Sequence, residues 1–453
     1  MPNAHLFVLI HGLWGGANHL KAADEMIQSC VSSPNEEIHT IRPKTSSLFK
    51  TYDGIEMIGD RMLVEIIAKI NDLHGENVVV TKISFIGYSL GGLVSRYVIG
   101  ELEKKKIFDD IEPMFFCTFA SPHLGVQFFR RRSMILNFLG SQVLGLVGSE
   151  LFIKDRSKIL VKLASDEYLE GLGKFKERFC FANIRHDRTV SFYSAYITDK
   201  NPFDAHWDSI ELSFDFEDGI LPTYRVHGVD VKPRFVNIAK SNFVGPGRVF
   251  RKKSLRKKLR FIGIILAASV ILPIWIPVVL TASTIASIVS YFIVSTHKKV
   301  EFEDLKRPDS SKLSAGFEER LQEATGEAFE NAINIGQYDA NTDWDETSHG
   351  DSIATLTPIE SVKAVDAEFE NRPIAASVIF HDTKPLALNA DRQYINEKLN
   401  SLVWSKFAVY VNVLNAHDGI IARKGLKRST AKGIAVIRFY AELINKKLNS
   451  QAE

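Results

Sequence analysis

Cysteine is scarce: the chain has three in 453 residues, Cys30, Cys117 and Cys180. They are odd in number, far apart and without metal-ligand spacing, which excludes a disulfide framework and a cysteine-built metal site and fits a reducing compartment. Net charge is scarce too. Lys and Arg total 56 against 54 Asp and Glu, a formal balance of +2, so a global affinity for nucleic acid is excluded and any charged partner must be read from local clusters. No internal repeat is visible. The N-terminal MPNAHLFVLIHG lacks a basic leader and a small-residue cleavage site, and its apolar run His5 to Ile10 is too short for a signal sequence and reads as a first strand. Charge itself is missing from Phe261 to Thr296.

What is present begins with an apolar share of 45%, enough for a sizeable core in one large domain or two ordinary ones. From Leu6 to about Tyr193, the runs LFVLI, ISFIG, MFFCTFA and RFCFANI alternate with helical patterns at Tyr52 to Leu73, Gly91 to Lys104 and Ser133 to Val147. Strands alternating with helices predict an α/β fold with a mostly parallel, doubly wound sheet covered on both faces. Residues Asn201 to Lys240, with Pro202, Pro222 and Pro233, carry no clear element. Near Pro385 the pattern resumes, with a helix over Asp391 to Leu402, a strand over Trp404 to Leu414 and an amphipathic helix from about Thr430 to Lys447. The expected organisation is a core in two parts, residues 1–205 and 385–453, around an insertion at 206–384.

Gly87-Tyr88-Ser89-Leu90-Gly91 is a G-x-S-x-G pattern between a strand and a helix, the context in which such a serine is a nucleophile. In that elbow the serine backbone is strained, so the residues two before and two after must be small. Leu90 opens the helix, and its N–H together with the helix dipole points at the place where an oxyanion forms. A second donor is expected from His11-Gly12-Leu13-Trp14-Gly15-Gly16, at the end of LFVLI, with Leu13 ahead of Trp14. His11 itself reads as structural.

An acid and a base should follow in the order Ser, Asp, His. Asn415-Ala416-His417-Asp418-Gly419 follows the last predicted strand, where a base would hang, and His417 is the candidate. His123, in ASPHLG, precedes any plausible acid and is read as shaping the pocket. Asp187, just after the strand RFCFANI, is the candidate acid that would hold the imidazole tautomer. Asp204 and Asp208 stand as fallbacks, and Asp418 reads as steadying the histidine loop. The chemistry needs no metal and no cofactor.

HLFVLIHGLWGG, FIGYSLGGLVSRYVIG, FASPHLGV and VLNAHDGII together resemble the serine esterase and lipase family of fungi and plants, within the α/β-hydrolase superfamily and on the side of its fungal lipid-droplet phospholipases. The resemblance covers about residues 4 to 200 and 385 to 445. It implies hydrolysis of acyl esters of glycerophospholipids with broad head-group tolerance at a lipid-droplet surface, with Ser89 as nucleophile and His417 as base. Asp187 stands where the superfamily carries its acid, without a sharp motif around it. A neutral glyceride or monoacylglycerol lipase is the alternative within enzymes, and a noncatalytic lipid-surface scaffold the alternative outside them.

RVFRKKSLRKKLR, from Arg248 to Arg260, precedes the uncharged run, and His297-Lys298-Lys299 closes it. At roughly 35 residues the run is long for one span of ~20 residues and short for two. Pro273 and Pro277 would bend it into two short arms. Such a hairpin, with basic residues at both ends, suits a single phospholipid leaflet, and each Lys or Arg adds roughly 1 kcal/mol near an anionic surface. The expectation is attachment through residues 248–299 to a lipid droplet, or also to the endoplasmic reticulum, with the catalytic part facing the cytoplasm. The acidic stretch 301–366 reads as mobile. Oligomeric state is not legible.

Overall fold

A computed structural model describes residues 1–127, 129, 141, 144–214, 221–244, 281, 284–290, 292, 354–355, 377–413 and 415–450. The basic run 248–260, most of the apolar run, and the acidic stretch apart from residues 354–355 lie outside them. Of the helix expected over Ser133 to Val147, the described part is the start of a helix at Gly145–Leu151. Among the described residues no helix is long and apolar enough to cross a membrane.

Six strands form the central sheet: β1 (Asn3–Ile10), β2 (Glu36–Ile41), β3 (Val79–Tyr88), β4 (Glu112–Phe119), β5 (Glu177–Asn183) and β11 (Ser405–Val409). Their order is β11-β5-β4-β3-β1-β2, and every neighbouring pair is parallel. Alternate side chains of β1 serve opposite faces. Leu6, Val8 and Ile10 pack with helices α2 (Ile55–Gly75) and α3 (Leu90–Lys104), whereas Phe7 and Leu9 pack with α1 (Lys21–Cys30) and the C-terminal helix Ala431–Ser450. A strand buried on both faces reads as an unbroken apolar run, which is why LFVLI was legible. Each such side chain contributes about 1.5–3 kcal/mol by leaving water. This is the mostly parallel, doubly wound α/β sheet, covered on both faces, that the sequence predicts.

The strand order reverses at β1, which lies between β2 and β3. Loops leaving β1 and β3 therefore diverge at the carboxyl ends of the strands and open a crevice there. Ile10 is the register partner of Gly87, so the loop that starts at His11 lies beside the turn that carries Ser89.

Two expectations are corrected. The strand expected over Trp404 to Leu414 stops at Val409, because Asn183 intervenes: its Oδ1 accepts the Val411 N–H at 2.8 Å, and Val409 O accepts the Ile184 N–H at 2.8 Å. The region with no clear element contains the cover for that strand's outer edge. Val236 N–H donates to Ala408 O and Tyr410 N–H to Arg234 O, both at 2.8 Å, with Phe235 bridging antiparallel to Val409, so the edge is not left open. The same region supplies β6 (Ile210–Ser213) antiparallel to β9 (Asn237–Phe243). It also supplies the hairpin β7 (Tyr224–Val226) and β8 (Val229–Val231), with β10 (Ala354–Thr355) along β7. His227 and Gly228 turn that hairpin with φ of 51° and 76°, the geometry a two-residue connection requires.

Candidate active site

The apolar run of β3 ends at Tyr88, and Ser89 follows with φ 55° and ψ −126° before α3 begins. Such a backbone is strained for a residue with a side chain and clusters at functional sites. It survives because its surroundings close on it. A Cβ at Gly87 would collide with Gly92, and one at Gly91 with the carbonyls of Ile10 and His11. Ser89 N–H donates to Phe119 O at 2.9 Å, tying the elbow to the end of β4. Ser89 as a whole is only 6% exposed.

The neighbouring loop comes equally close: a Cβ at Gly12 would lie 2.6 Å from Ser89 Cβ. Leu13 N–H and Leu90 N–H, the two expected oxyanion donors, have no acceptor among the described residues. Trp14, the second choice in that loop, does not qualify. Its φ of 52° turns its N–H to Thr51 Oγ1 at 3.0 Å, and its indole N–H donates to Tyr52 Oη at 2.8 Å.

Asp187 and His417, 230 positions apart, meet. His417 Nδ1–H donates to Asp187 Oδ2 at 2.8 Å, with the two side chains 8% and 3% exposed. The other oxygen, Oδ1, accepts the N–H groups of Thr189 and Val190 at 3.0 and 2.8 Å, so the carboxylate is held before the histidine arrives. The loops are joined again by Ala416 N–H to His186 O at 3.3 Å. Burial alone would lower the His417 pKa; the charge and hydrogen bond of Asp187, with Asp418, outweigh burial and the opposing Arg423, and leave it raised. With the proton on Nδ1, Nε2 is left as the basic nitrogen.

Tyr88, the residue before the serine, packs its ring 4.9 Å from that of His417. Its hydroxyl donates to Asp418 Oδ1 at 3.3 Å. Asp418 also accepts from Asn415 Nδ2 at 2.7 Å and from Arg423 Nη1 at 3.0 Å, so it steadies the histidine loop as its sequence context predicts. Arg423 continues to His19 Nε2 at 2.8 Å, which ties this loop to the one after β1. Ser89 Oγ and His417 Nε2 make no hydrogen bond with the described residues. In enzymes without substrate, catalytic hydrogen bonds are commonly long and tighten only when substrate binds.

The remaining candidates fall elsewhere. His11 is buried, donates Nδ1–H to Gly12 O at 3.0 Å, and is held neutral, its pKa lowered to about 4 by burial first, against the Gly12 bond, with Arg423 adding to the shift. His123 is buried against Thr118 Oγ1 at 3.0 Å. Asp204 lies in a short helix capped by Asn201, which accepts its N–H and donates Nδ2–H to its Oδ2 at 2.7 Å, Asp208 sits in the turn Trp207–Ser209, and neither is a partner of His417. Among the described residues no cluster of three or more His, Cys, Asp or Glu is placed to hold a metal. Sequence reasoning did not foresee Tyr88, Thr51, Tyr52 or Arg423, none of which stands in a motif for such a role.

Residues 1–199 match the family described as "Putative serine esterase (DUF676)". The chain is similar to "Putative lipase YDL109C" of Saccharomyces cerevisiae, 32% identical over 200 residues that are 42% of this chain and 30% of that one. It is also similar to "Putative lipase ROG1" of the same yeast, 29% identical over 199 residues, 42% of this chain and 28% of the relative. The chain thus spans less than a third of the length of these curated relatives. Among solved structures, the putative cell surface hydrolase of Lactobacillus plantarum is similar over 42% of this chain and 74% of that one, at 15% identity and a TM-score of 0.26, too low a score to bear on function.

Proposed function

From the place of residues 1–199 in this serine esterase family, we propose that the protein cleaves fatty-acyl esters of glycerophospholipids at a lipid surface. One observation carries the chemistry: a buried Asp187–His417 pair stands beside Tyr88, next to a strained Ser89 flanked by two unengaged backbone donors. In this reading His417 Nε2 takes the proton of Ser89 Oγ as the oxygen attacks the acyl carbonyl. The oxyanion then accepts from Leu13 N–H and Leu90 N–H, while Asp187 stabilises the imidazolium without being protonated itself. Proton return from His417 expels the lysolipid, and water, activated by the same nitrogen, frees the fatty acid.

The lipid-surface part rests on residues 284–290 and 292. Ser287 Oγ accepts the Gly145 N–H at 3.0 Å and Ser290 is 2% exposed, whereas Ile285, Ile288, Val289 and Phe292 are 51–63% exposed. The segment thus buries Ser290 and half-buries Ser287 while leaving four large apolar side chains in the open, an exposed apolar patch of the kind that marks an interaction surface. Its contact at Gly145 adjoins Tyr52, the wall on which Trp14 rests. The attachment proposed is to a lipid droplet or to the cytoplasmic face of the endoplasmic reticulum, with 248–299 as its anchor. Fatty-acid release from phosphatidylcholine vesicles and from emulsified glyceride, by the protein and by Ser89→Ala, tests the reading. Serine-dependent release from vesicles is expected; release from glyceride alone makes it a neutral lipase, and release from neither substrate refutes the enzyme.

A further inference from the structure

The stretch Gly419 to Ala441, which follows the His417 loop directly, contains six cations and not one carboxylate. Two of the six are neutralised from outside it, Arg423 Nη1 by Asp418 Oδ1 at 3.0 Å and Arg438 Nε by Glu442 Oε1 at 2.7 Å. The other four are not. Lys424, Lys427 and Arg428 are exposed and Lys432 is half-buried, and their side chains make no hydrogen bond or ion pair among the described residues. The β7–β8 hairpin touches this stretch where His227 Nε2–H donates to Ser429 O at 3.2 Å, but its Asp230 is already paired with Arg225 at 2.9 Å. It brings no spare acid.

These cations stand on a fixed backbone. Arg423 N–H donates to Asp418 O at 3.1 Å, Gly425 N–H to Ala422 O at 2.9 Å and Ser429 N–H to Gly425 O at 3.0 Å, while Ile420, Ile421 and Ala422 are buried beneath the turn. Where the sheet strands begin, by contrast, lysines are answered: Lys82 by Glu36 at 2.8 Å, Lys176 by Glu112 at 2.6 Å and Lys447 by Glu177 at 2.8 Å.

Two contacts place the turn. Arg423 Nη2 meets His19 Nε2 at 2.8 Å, which sets it against the His19 end of the loop that carries Leu13. The Trp14 end of that loop leans on Tyr52, which lies against Gly145 and so beside the exposed apolar segment held through Ser287. The oxyanion loop therefore has unpaired cations on one flank and exposed hydrocarbon on the other.

We propose that Lys424, Lys427 and Arg428, with Lys432 behind them, dock the mouth of the crevice on the head groups of anionic phospholipids. The contact belongs to the folded catalytic part and is separate from the anchor at 248–299; it rests on the lipid-surface reading above but not on hydrolysis. A lipid surface offers a phosphate to each cation in turn, so the side chains need not converge on one ion. A soluble polyanion would pair the cations but leave the apolar flank uncovered, whereas an anionic lipid surface satisfies both.

The test is flotation of the full chain, carrying Ser89→Ala so that nothing is hydrolysed, with vesicles of phosphatidylcholine alone and with vesicles containing about 30% phosphatidylserine. Lys424→Gln, Lys427→Gln and Arg428→Gln together are expected to weaken binding to the anionic vesicles about 10²-fold, or about fivefold per charge. Binding to phosphatidylcholine and the melting temperature should not move. Lys424→Arg, Lys427→Arg and Arg428→Lys together keep the charge and should bind as the parent does. Unchanged affinity of the glutamine variant for anionic vesicles would overturn the contact, and so would a loss seen only with a duplex oligonucleotide, which would make the turn a nucleic-acid surface. Catalysis does not enter this measurement, so a failure to hydrolyse any lipid would remove the proposed function and leave the docking result standing.

Discussion

Replacing Asp187 by Asn probes the candidate site most sharply because it alters charge and tautomer while sparing the backbone. The amide oxygen can still accept the N–H groups of Thr189 and Val190 that Oδ1 binds at 3.0 and 2.8 Å, so the loop should keep its shape. The amide nitrogen, set where Oδ2 meets His417 Nδ1 at 2.8 Å, is a donor and forces the proton onto Nε2, where it blocks the base. Loss of tautomer control and of imidazolium stabilisation is expected to cost about 10³–10⁴ in kcat/KM, or about 4–5.5 kcal/mol of transition-state stabilisation. The pH profile supplies a second readout. Asp187 raises the His417 pKa against burial, and the base works only when neutral, so removing the charge moves the acidic limb of kcat/KM to lower pH. Stability moves with it. A histidine raised on folding contributes stability that is complete below its unfolded value of about 6.5 and is lost as pH rises through the folded value, so the destabilisation of the variant should be larger at pH 5.5 than at pH 8.5. Hydrolysis of a soluble p-nitrophenyl ester across pH, with thermal melts, measures all three. A near wild-type rate with an unmoved limb would refute the reasoning and return Asp204 or Asp208 to consideration.

Ser89→Ala should abolish ester hydrolysis with less than about 1 °C change in melting temperature, since only a hydroxyl goes; residual wild-type turnover would exclude the nucleophile. Gly12→Ala sets a Cβ 2.6 Å from Ser89 Cβ and is expected to lower kcat about 10–100-fold by displacing the oxyanion loop; an unchanged kcat would show that the loop is not part of the site. Arg423→Met removes a cation that lowers the His417 pKa, so the acidic limb should move to higher pH, opposite to Asp187→Asn. A shift in the same direction would contradict the electrostatics. Ile288→Lys with Phe292→Lys should cut flotation with phospholipid vesicles and leave the soluble ester unaffected; full flotation would remove this face from the lipid contact.

Much of the fold was legible because its signals are short-range. The sheet announced itself in runs such as LFVLI, since a strand covered on both faces has no polar side to show. Ser89 announced itself through Gly87 and Gly91, because the turn tolerates nothing larger beside it. Strand β2, written EEIHTI, and helix α1 were not foreseen: an edge strand half open to water keeps little apolar periodicity. The cover at Arg234–Val236 was hidden as well, because its hydrogen bonds are made by backbone groups that every residue carries.

By itself the sequence determined which strands and elbow can exist, which serine is strained, and the order in which the candidate nucleophile, acid and base occur along the chain. Only the tertiary structure decided that His417 meets Asp187 and not Asp204 or Asp208, that Trp14 spends its N–H on Thr51, and that Arg423 reaches across to His19. The physical reason is range. Periodicity and backbone strain are constraints among neighbours in the chain, whereas the partners of a buried polar group are set by the order of strands in the sheet, which here places β11 beside β5 and carries His417 to its carboxylate.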